Sequence, residues 1–268
     1  MTDALTIHIE DHIAHLQLNR PDAHNAIDGP IMNGLIAFAQ QMMKPGEVRV
    51  VVISGAGKSF CAGLDMSNFA ALADGGADKG QAASTPLLER THGISNLFQN
   101  AARVWRELPV PVIAALHGVA LGGGFQLALG ADIRYAAPGT RMAVLEIKWG
   151  LVPDMAGTQL MRHLARDDVI RELTYTGRMF EAEEAQQLGF VTRVCEDPYQ
   201  AAMDTARYIA TRNPDAIRAD KQLLNESLYL DEVEGLMLES RLQDAIMGKP
   251  NQVEAVMAEL EGRAARFS

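Results

Sequence analysis

Two runs dominated by β-branched and aliphatic residues, 48–53 and 110–116, constrain the fold more than any other feature of the sequence. A strand with one solvated face alternates apolar and polar residues, whereas a nearly unbroken apolar run fits a strand that is buried on both faces. Strands of this kind lie in sheets that helices cover on both sides. A third strand is predicted over 133–136, so the chain is expected to contain an α/β core.

The segments around these strands complete the predicted core. Alternating residues in 7–9 and 13–18 predict a β-hairpin. Helix starts or helical apolar stripes predict three helices, which begin at Asp28, cover roughly 87–106 and follow Gly122.

Helical patterns dominate the chain beyond about residue 157, with one short strand predicted over 190–194. The predicted helices cover 157–165, 167–176, 181–188, 198–212, 214–228, 231–247 and 250–261. We therefore expect a β/α core over 1–197 and a helical C-terminal region over 198–268. Such a region either packs on the core or forms an oligomer interface.

The composition argues against several classes of partner. The chain has 34 acidic and 24 basic residues, and its net charge of −10 disfavours nonspecific binding to nucleic acid. No apolar run approaches the roughly 18 residues that a membrane span needs. The two cysteines cannot build a disulfide framework, and the acidic N-terminus does not have the layout of a signal peptide. We therefore expect a cytoplasmic protein without nucleic-acid or membrane partners.

Several short motifs indicate other chemistry but have the wrong spacing or setting. Gly57-Lys58-Ser59 follows a strand, but a phosphate-binding loop needs a glycine where Val52 stands. The triplet 122–124 does not follow the dinucleotide-binding spacing, and no G-x-S-x-G hydrolase motif is present. His8 and His12 are predicted on a strand and a turn rather than on one helix face, so no metal site is expected.

Two glycine-containing turns follow the two buried strands and carry a more specific signal. They are 59–66 (SFCAGLDM) and 117–124 (HGVALGGG). Small residues let the main chain approach a ligand, and two converging N–H groups can bind one oxygen as an oxyanion hole. The same turns are also compatible with ordinary tight connections between strand and helix. Within the first turn, Cys61 fits a small packed residue better than a nucleophile.

Ordered motifs along essentially the whole chain resemble those of the crotonase (enoyl-CoA hydratase/isomerase) superfamily. The matching positions are 18–21 with Asn25 and Ala26, 59–65, 111–115, 118–124, 131–133, Glu146, 150–153 with Gly157 and Thr158, and 176–178. Many matches in one order with compatible gaps make the resemblance specific.

The resemblance implies a crotonase-like (ClpP/crotonase) spiral of ββα units, with C-terminal helices that assemble homotrimers or a hexamer of two trimers. It also implies an acyl-CoA thioester substrate whose carbonyl lies between the N–H groups of Leu64 and Gly123. Ala62, Gly63 and Asp65 are implied to lie at the CoA site. No metal or other cofactor is implied, because preorganised N–H dipoles stabilise the thioester enolate.

At the acid–base positions, this sequence departs from the pattern of the family. Hydratases of the family carry one carboxylate two residues after the glycine triplet and another twenty residues later, at the positions of Gln126 and Glu146 here. An amide cannot transfer a proton at neutral pH, so water addition by two glutamates is in doubt. Asp154 stands where dienoyl-CoA isomerases of the family carry an aspartate. The alternative interpretation is a turn residue after proline.

These residues favour an acyl-CoA double-bond isomerase of fatty-acid metabolism, in which Glu146 takes a proton and Glu146 or Asp154 returns it. The nearest alternative is hydration of trans-2-enoyl-CoA by the same two residues. Remoter alternatives are thioester hydrolysis, C–C cleavage, or a catalytically silent or RNA-binding member of the family. The sequence does not give the acyl chain length. Candidates for the acyl-pocket wall are Met66, Phe69, Leu72, Leu87, Leu88 and Ile94.

Overall fold

A computed structural model of the chain describes residues 4–65 and 86–268. Its described strands form two sheets, a larger one in the order β1-β2-β3-β4-β6-β9 and a smaller one in the order β5-β7-β8. The strands are β1 (Leu5–Glu10), β2 (Ile13–Leu18), β3 (Val50–Gly55), β4 (Val112–Leu116), β5 (Val119–Leu121), β6 (Ile133–Ala136), β7 (Arg141–Ala143), β8 (Phe180–Glu181) and β9 (Arg193–Val194). Strands β1 and β2 are an antiparallel hairpin, and every other pair in the larger sheet is parallel.

The helices alternate with the strands in the first part of the chain, and after β9 only helices follow in regular structure. They are α1 (Gly29–Met42), α2 (Leu97–Glu107), α3 (Gly123–Gly130), α4 (Gly157–Met161), α5 (Asp167–Thr176), α6 (Ala182–Leu188), α7 (Pro198–Ala210), α8 (Pro214–Glu226), α9 (Glu232–Ile246) and α10 (Pro250–Glu261). Short 3₁₀ turns cover Pro21–Ala23, Glu146–Trp149 and Ser227–Tyr229. Across the described ranges, no helix is long and apolar enough to cross a membrane.

Helices cover both faces of the larger sheet, as its apolar runs predict. On one face, Val51 and the neighbouring strands share a core with α1, α2 and α3. On the other face, Val50 and Val52 pack against Ala202 and Ala206 of α7. The alanine side chains are small, so α7 can lie close to the strands. Burial on both faces therefore explains why β3 lacks the alternation of a half-exposed strand.

The predicted α/β class is correct, and the strand over 133–136 has the predicted bounds. The helix predicted around 87–106 begins instead at Leu97, because Asn96 and Gln99 form a capping box that fixes its start. The strand predicted over 190–194 is shorter, since only its last two residues pair with β6. The smaller sheet was not predicted, because strands of two or three residues are too short to show an alternating pattern.

Candidate active site

The two glycine-containing turns lie side by side beyond the carboxyl ends of β3 and β4. Cys61 and Ala120 form a parallel bridge between the turns. The Cys61 N–H donates to the Val119 carbonyl at 3.0 Å, and the Leu121 N–H donates to the Cys61 carbonyl at 3.0 Å. The structure therefore joins two segments that are sixty residues apart in the sequence.

The close approach of these turns depends on glycine. A Cβ added at Gly124 would lie 2.4 Å from the Cys61 carbonyl oxygen and 2.8 Å from its Sγ. Gly63 has φ +95°, in a region that side chains disfavour, and a Cβ there would lie 2.7 Å from the Leu121 carbonyl oxygen. Side chains at these positions would separate the turns.

The backbone around Leu64 directs the Leu64 N–H away from its neighbouring segment. Leu64 forms a parallel bridge with Ile27. The Ile27 N–H donates to the Gly63 carbonyl at 2.7 Å, and the Asp65 N–H donates to the Ile27 carbonyl at 3.0 Å. In a parallel ladder, the residue between two bonded neighbours points its own N–H to the opposite side. Within residues 4–65 and 86–268, no acceptor takes the Leu64 N–H.

Gly123 provides the second backbone donor. It is the first residue of α3, so its N–H has no acceptor within the helix. A Cβ added at Gly123 would lie 3.8 Å from Leu64 Cγ, which shows that the two residues are neighbours. The structure thus places the two predicted oxyanion-hole residues together, each with a backbone N–H that its own element leaves unused.

Gln126 and Glu146 are in direct contact, although twenty residues separate them. Gln126 Nε2 donates to Glu146 Oε1 at 2.6 Å. Gln126 Oε1 accepts the N–H groups of Met155 at 3.0 Å and Gly157 at 2.8 Å. Two backbone donors at the carbonyl end fix which end of the amide faces Glu146. Gln126, which is 1% exposed, is therefore a fixed donor to this carboxylate.

The two oxygens of Glu146 have different surroundings. Oε1 is held by Gln126 and lies 3.3 Å from where a Cβ of Gly122 would be, at the helix start that carries Gly123. Oε2 is buried and has no hydrogen-bond partner among the described residues. Burial raises the pKa of Glu146, and the nearby charge of Asp154 adds to this, whereas the Gln126 hydrogen bond opposes it. A buried carboxylate with a free oxygen and a raised pKa has the properties of a general base.

Asp154 lies close enough to influence Glu146 electrostatically, and burial raises its own pKa. It is half-buried and follows the turn at Pro153. Ala156, two residues later, has φ +64°, a left-handed conformation that costs energy for a non-glycine residue. This conformation lies between the two N–H groups that bind Gln126, so the segment carrying Asp154 is shaped around Gln126.

The predicted CoA-site residues make contacts within the chain. The Ala62 N–H donates to the His24 carbonyl at 2.9 Å. The Asp65 carboxylate accepts from Arg20 Nη1 at 2.9 Å. The contribution of Ala62, Gly63 and Asp65 to CoA binding stays a prediction.

The predicted acyl-pocket wall is only partly visible. Met66, Phe69 and Leu72 lie outside the described residues, together with all of 71–84. Leu87, Leu88 and Ile94 are 52%, 90% and 71% exposed, so they are not part of the apolar core.

Cys61 lies in the interior of the protein, and His8 and His12 contact other groups of the chain. Cys61 is buried, its Sγ donates to the Asn25 carbonyl at 3.2 Å, and burial raises the pKa of its thiol to about 12. It is a packed residue, as predicted. His8 lies beside Glu10, and His12 contacts the Glu47 carbonyl. Among the residues that the structure describes, no group of three or more side chains could hold a metal ion.

Sequence reasoning missed the residues that position the site. The contacts of Gln126 with Met155 and Gly157 had no local signal, although Gly157 was among the matching motifs. A Cβ at Gly157 would lie 2.6 Å from Gln126 Oε1, so its glycine identity is the one available signal for this contact. Arg20 was also among the matching positions but had no predicted role.

Comparison with known proteins gives matches that span the chain. The family model described as enoyl-CoA hydratase/isomerase matches residues 8–268. The mitochondrial Delta(3,5)-Delta(2,4)-dienoyl-CoA isomerase of Rattus norvegicus is 32% identical over 276 residues, covering 97% of this chain and 80% of its own. The mitochondrial methylglutaconyl-CoA hydratase of Mus musculus is 29% identical over 270 residues, covering 97% and 82%. The crystal structure of an enoyl-CoA hydratase from Bacillus anthracis has a TM-score of 0.85, 28% identity and 98% coverage of both chains.

Proposed function

Because the chain belongs to the enoyl-CoA hydratase/isomerase family, the crotonase superfamily, we propose that it is an acyl-CoA double-bond isomerase of fatty-acid metabolism. Its substrate is an enoyl-CoA thioester, and its reaction passes through a thioester enolate. We also infer that it acts in the cytoplasm, since both cysteines are free.

One observation carries the choice of isomerase. The family position that holds a second carboxylate in hydratases is Gln126, and its amide is fixed as a donor to Glu146. A fixed amide neither takes nor gives a proton at neutral pH. Moving a double bond needs one proton carrier that acts twice, whereas adding water needs an acid and a base.

The proposed reaction uses two backbone N–H groups and the carboxylate of Glu146, with Asp154 as the alternative donor of the returning proton. The Leu64 and Gly123 N–H groups bind the thioester oxygen, and Glu146 removes a proton from the carbon beside the carbonyl. The electron pair of that C–H bond passes into a dienolate, whose negative charge rests on the bound oxygen. A proton from Glu146 or Asp154 then adds at the far carbon, which restores the thioester and shifts the double bond. An oxyanion-hole donor contributes about 2.7–4 kcal/mol to such a step.

Hydration of trans-2-enoyl-CoA is the second candidate function. The environment of Asp154 favours it. Asp154 is half-buried, has a raised pKa and acts on Glu146 electrostatically. Two carboxyl groups with raised pKa values can divide the roles of acid and base. In this reaction, Asp154 would do the work of the missing glutamate.

Incubation with 2-enoyl-, 3-enoyl- and 3,5-dienoyl-CoA, followed by identification of the products, tests the proposal. The isomerase forms a conjugated enoyl- or dienoyl-CoA from a 3-enoyl or 3,5-dienoyl substrate and no 3-hydroxyacyl-CoA. Formation of 3-hydroxyacyl-CoA as the main product would select the hydratase. An Asp154→Asn variant on the same substrates separates the roles: loss of hydration alone assigns Asp154 to water activation, and loss of isomerisation alone to proton return.

A further inference from the structure

We propose that Arg20 is a positioning residue that holds the Leu64 N–H in its catalytic orientation through the carboxylate of Asp65. This inference rests on the proposed function, because it gives the Leu64 N–H its role as an oxyanion donor. It also gives Asp65 a role within the chain instead of a contact with CoA.

Arg20 contacts three oxygen atoms of the chain through a single guanidinium nitrogen. Its Nη1 lies 2.9 Å from Asp65 Oδ2, 3.3 Å from Asp28 Oδ2 and 2.7 Å from the Ala26 carbonyl oxygen. Asp28 caps α1 by accepting the Ile31 N–H, whereas Asp65 follows Leu64 directly. Arg20 therefore connects the turn after β3 to the start of α1.

The backbone of Arg20 is itself held in place by hydrogen bonds. Its backbone N–H donates to Asn25 Oδ1 at 2.8 Å. Asn25 is fully buried, and its Nδ2 donates to the carbonyl oxygens of Ala56 at 2.9 Å and Ser59 at 2.7 Å. The arginine thus extends from a rigid hydrogen-bonded loop, and a rigid base is what a positioning residue needs.

Both neighbours of Leu64, Gly63 and Asp65, restrain its position. Gly63 is restrained through its backbone alone, whereas Asp65 is also restrained through its side chain. The backbone of Gly63 and that of Asp65 are bonded to Ile27. Glycine at φ +95° has no Cβ, so it adds little steric restraint of its own to the peptide that carries the Leu64 N–H. The ion pair at Asp65 adds a side-chain restraint on the other end of Leu64. Without it, only the two backbone bonds to Ile27 hold this peptide, so the direction of the Leu64 N–H is held less firmly.

The ion pair is sheltered enough to act as a restraint. The side chains of Arg20 and Asp65 are 28% and 18% exposed, so solvent screens their attraction less than that of a surface pair. Asp28, at 25% exposed, is a second acceptor for the same arginine. Loss of either carboxylate therefore leaves Arg20 with one charged partner among the described residues, and the two single variants form a matched pair.

The test compares Asp65→Asn with Asp28→Asn in the full-length protein. Both changes remove one carboxylate from Arg20, and asparagine caps a helix about as well as aspartate. Misplacing a catalytic group by about 1 Å costs up to about 100-fold, so Asp65→Asn should lower kcat about 10- to 100-fold. KM should stay nearly constant, and Asp28→Asn should keep the kcat of the unmodified protein.

A second readout reports on the oxyanion hole itself. Acetoacetyl-CoA can bind as its enolate, whose ultraviolet absorbance differs from that of the keto form. Asp65→Asn should weaken this enolate absorbance at saturating ligand, whereas Asp28→Asn should keep it. If Asp65→Asn does not fold, Arg20→Lys replaces it, since lysine keeps the charge but lacks the planar guanidinium, and the same loss of kcat is expected.

Three results would overturn the proposal while leaving the proposed function intact. Equal kcat in both aspartate variants would remove the role of Asp65, and a lowered melting temperature with unchanged kcat would show a purely structural ion pair. A raised KM with unchanged kcat would return Asp65 to CoA binding. If the unmodified protein neither converts any thioester of the panel nor binds acetoacetyl-CoA, the proposed function fails and this inference fails with it.

Discussion

The two oxygens of Glu146 differ in their partners, and this difference is the basis of the proposed chemistry. Gln126 binds Oε1 and orients the carboxylate, while Oε2 has no partner among the described residues and is available to take a proton.

Glu146→Gln should lower kcat by about 10²–10⁴-fold, because an amide cannot accept the proton. The fold should persist, since the new carbonyl oxygen can still accept from Gln126 Nε2. Steady-state kinetics measure the loss, and the rise in melting temperature with acetoacetyl-CoA serves as the control for binding. Turnover equal to that of the unmodified protein would show that Glu146 is not the base.

The pH dependence of kcat/KM should reflect the raised pKa of Glu146. The base acts when ionised, so activity falls as pH drops through that pKa. Burial, the main cause of its raised value, therefore moves the acid limb to higher pH. Gln126→Met removes a hydrogen bond that lowers the pKa, so the limb should move to still higher pH. A pH–rate profile of both proteins checks this shift. A limb that stays in place or moves to lower pH would contradict it.

At the scale of elements, the sequence predicted those parts of the fold that local patterns determine. The buried run that became β3 and the capped start of α1 at Asp28 depend on neighbouring residues, so they were readable. The approach of Gln126 to Met155 depends on the path of the chain between them. No local pattern encodes that path, so the resemblance supplied the catalytic candidates, and only the structure gave Gln126 its partners.

Gly124→Ala tests whether the close packing of α3 against the first turn contributes to stability and activity. The new Cβ would lie 2.4 Å from a backbone carbonyl oxygen that cannot move away cheaply, so the free energy of unfolding should fall by about 1–3 kcal/mol. The kcat should fall as well, because the Gly123 N–H shifts with the helix start.

Gly235→Ala is the matched control for this change. Gly235 lies within α9, and a Cβ there would have open space around it. The same substitution should raise the free energy of unfolding by about 0.5–1 kcal/mol through better helix propensity. Urea denaturation measures both variants. Equal effects at the two glycines would show that the contact of Gly124 with Cys61 is unimportant.

At the scale of the whole molecule, the C-terminal helices leave large apolar side chains exposed. Exposed examples on α9 and α10 are Val233, Leu236, Met237, Val253, Val256, Met257 and Leu260. Exposed apolar side chains in such numbers favour association with further copies of a chain.

We therefore expect homotrimers or hexamers that assemble through the region after residue 198. Light scattering at micromolar concentration should give three or six times the chain mass of 29.1 kDa. Leu260→Lys should reduce the assembled fraction, whereas Met43→Lys, a similar change at an exposed position outside this region, should not. A monomeric mass for the unmodified protein would refute the assembly.

The rates of double-bond movement and of crotonyl-CoA hydration, measured for the unmodified protein and for Gln126→Glu, distinguish an isomerase from a hydratase. In this variant, one new oxygen can accept from Met155 and Gly157, while the other faces Glu146 about where Nε2 now lies, at 2.6 Å. Two carboxyl groups this close share a proton, which raises one of their pKa values and supplies an acid beside a base.

The unmodified protein should move the double bond and leave crotonyl-CoA essentially unhydrated. Gln126→Glu should gain partial hydration, with isomerisation unchanged or weakened, because burying a second carboxylate has a desolvation cost. Hydration by the unmodified protein as fast as its isomerisation would show that the protein is not an isomerase in which Gln126 excludes hydration, and Asp154 would then be the second acid–base group.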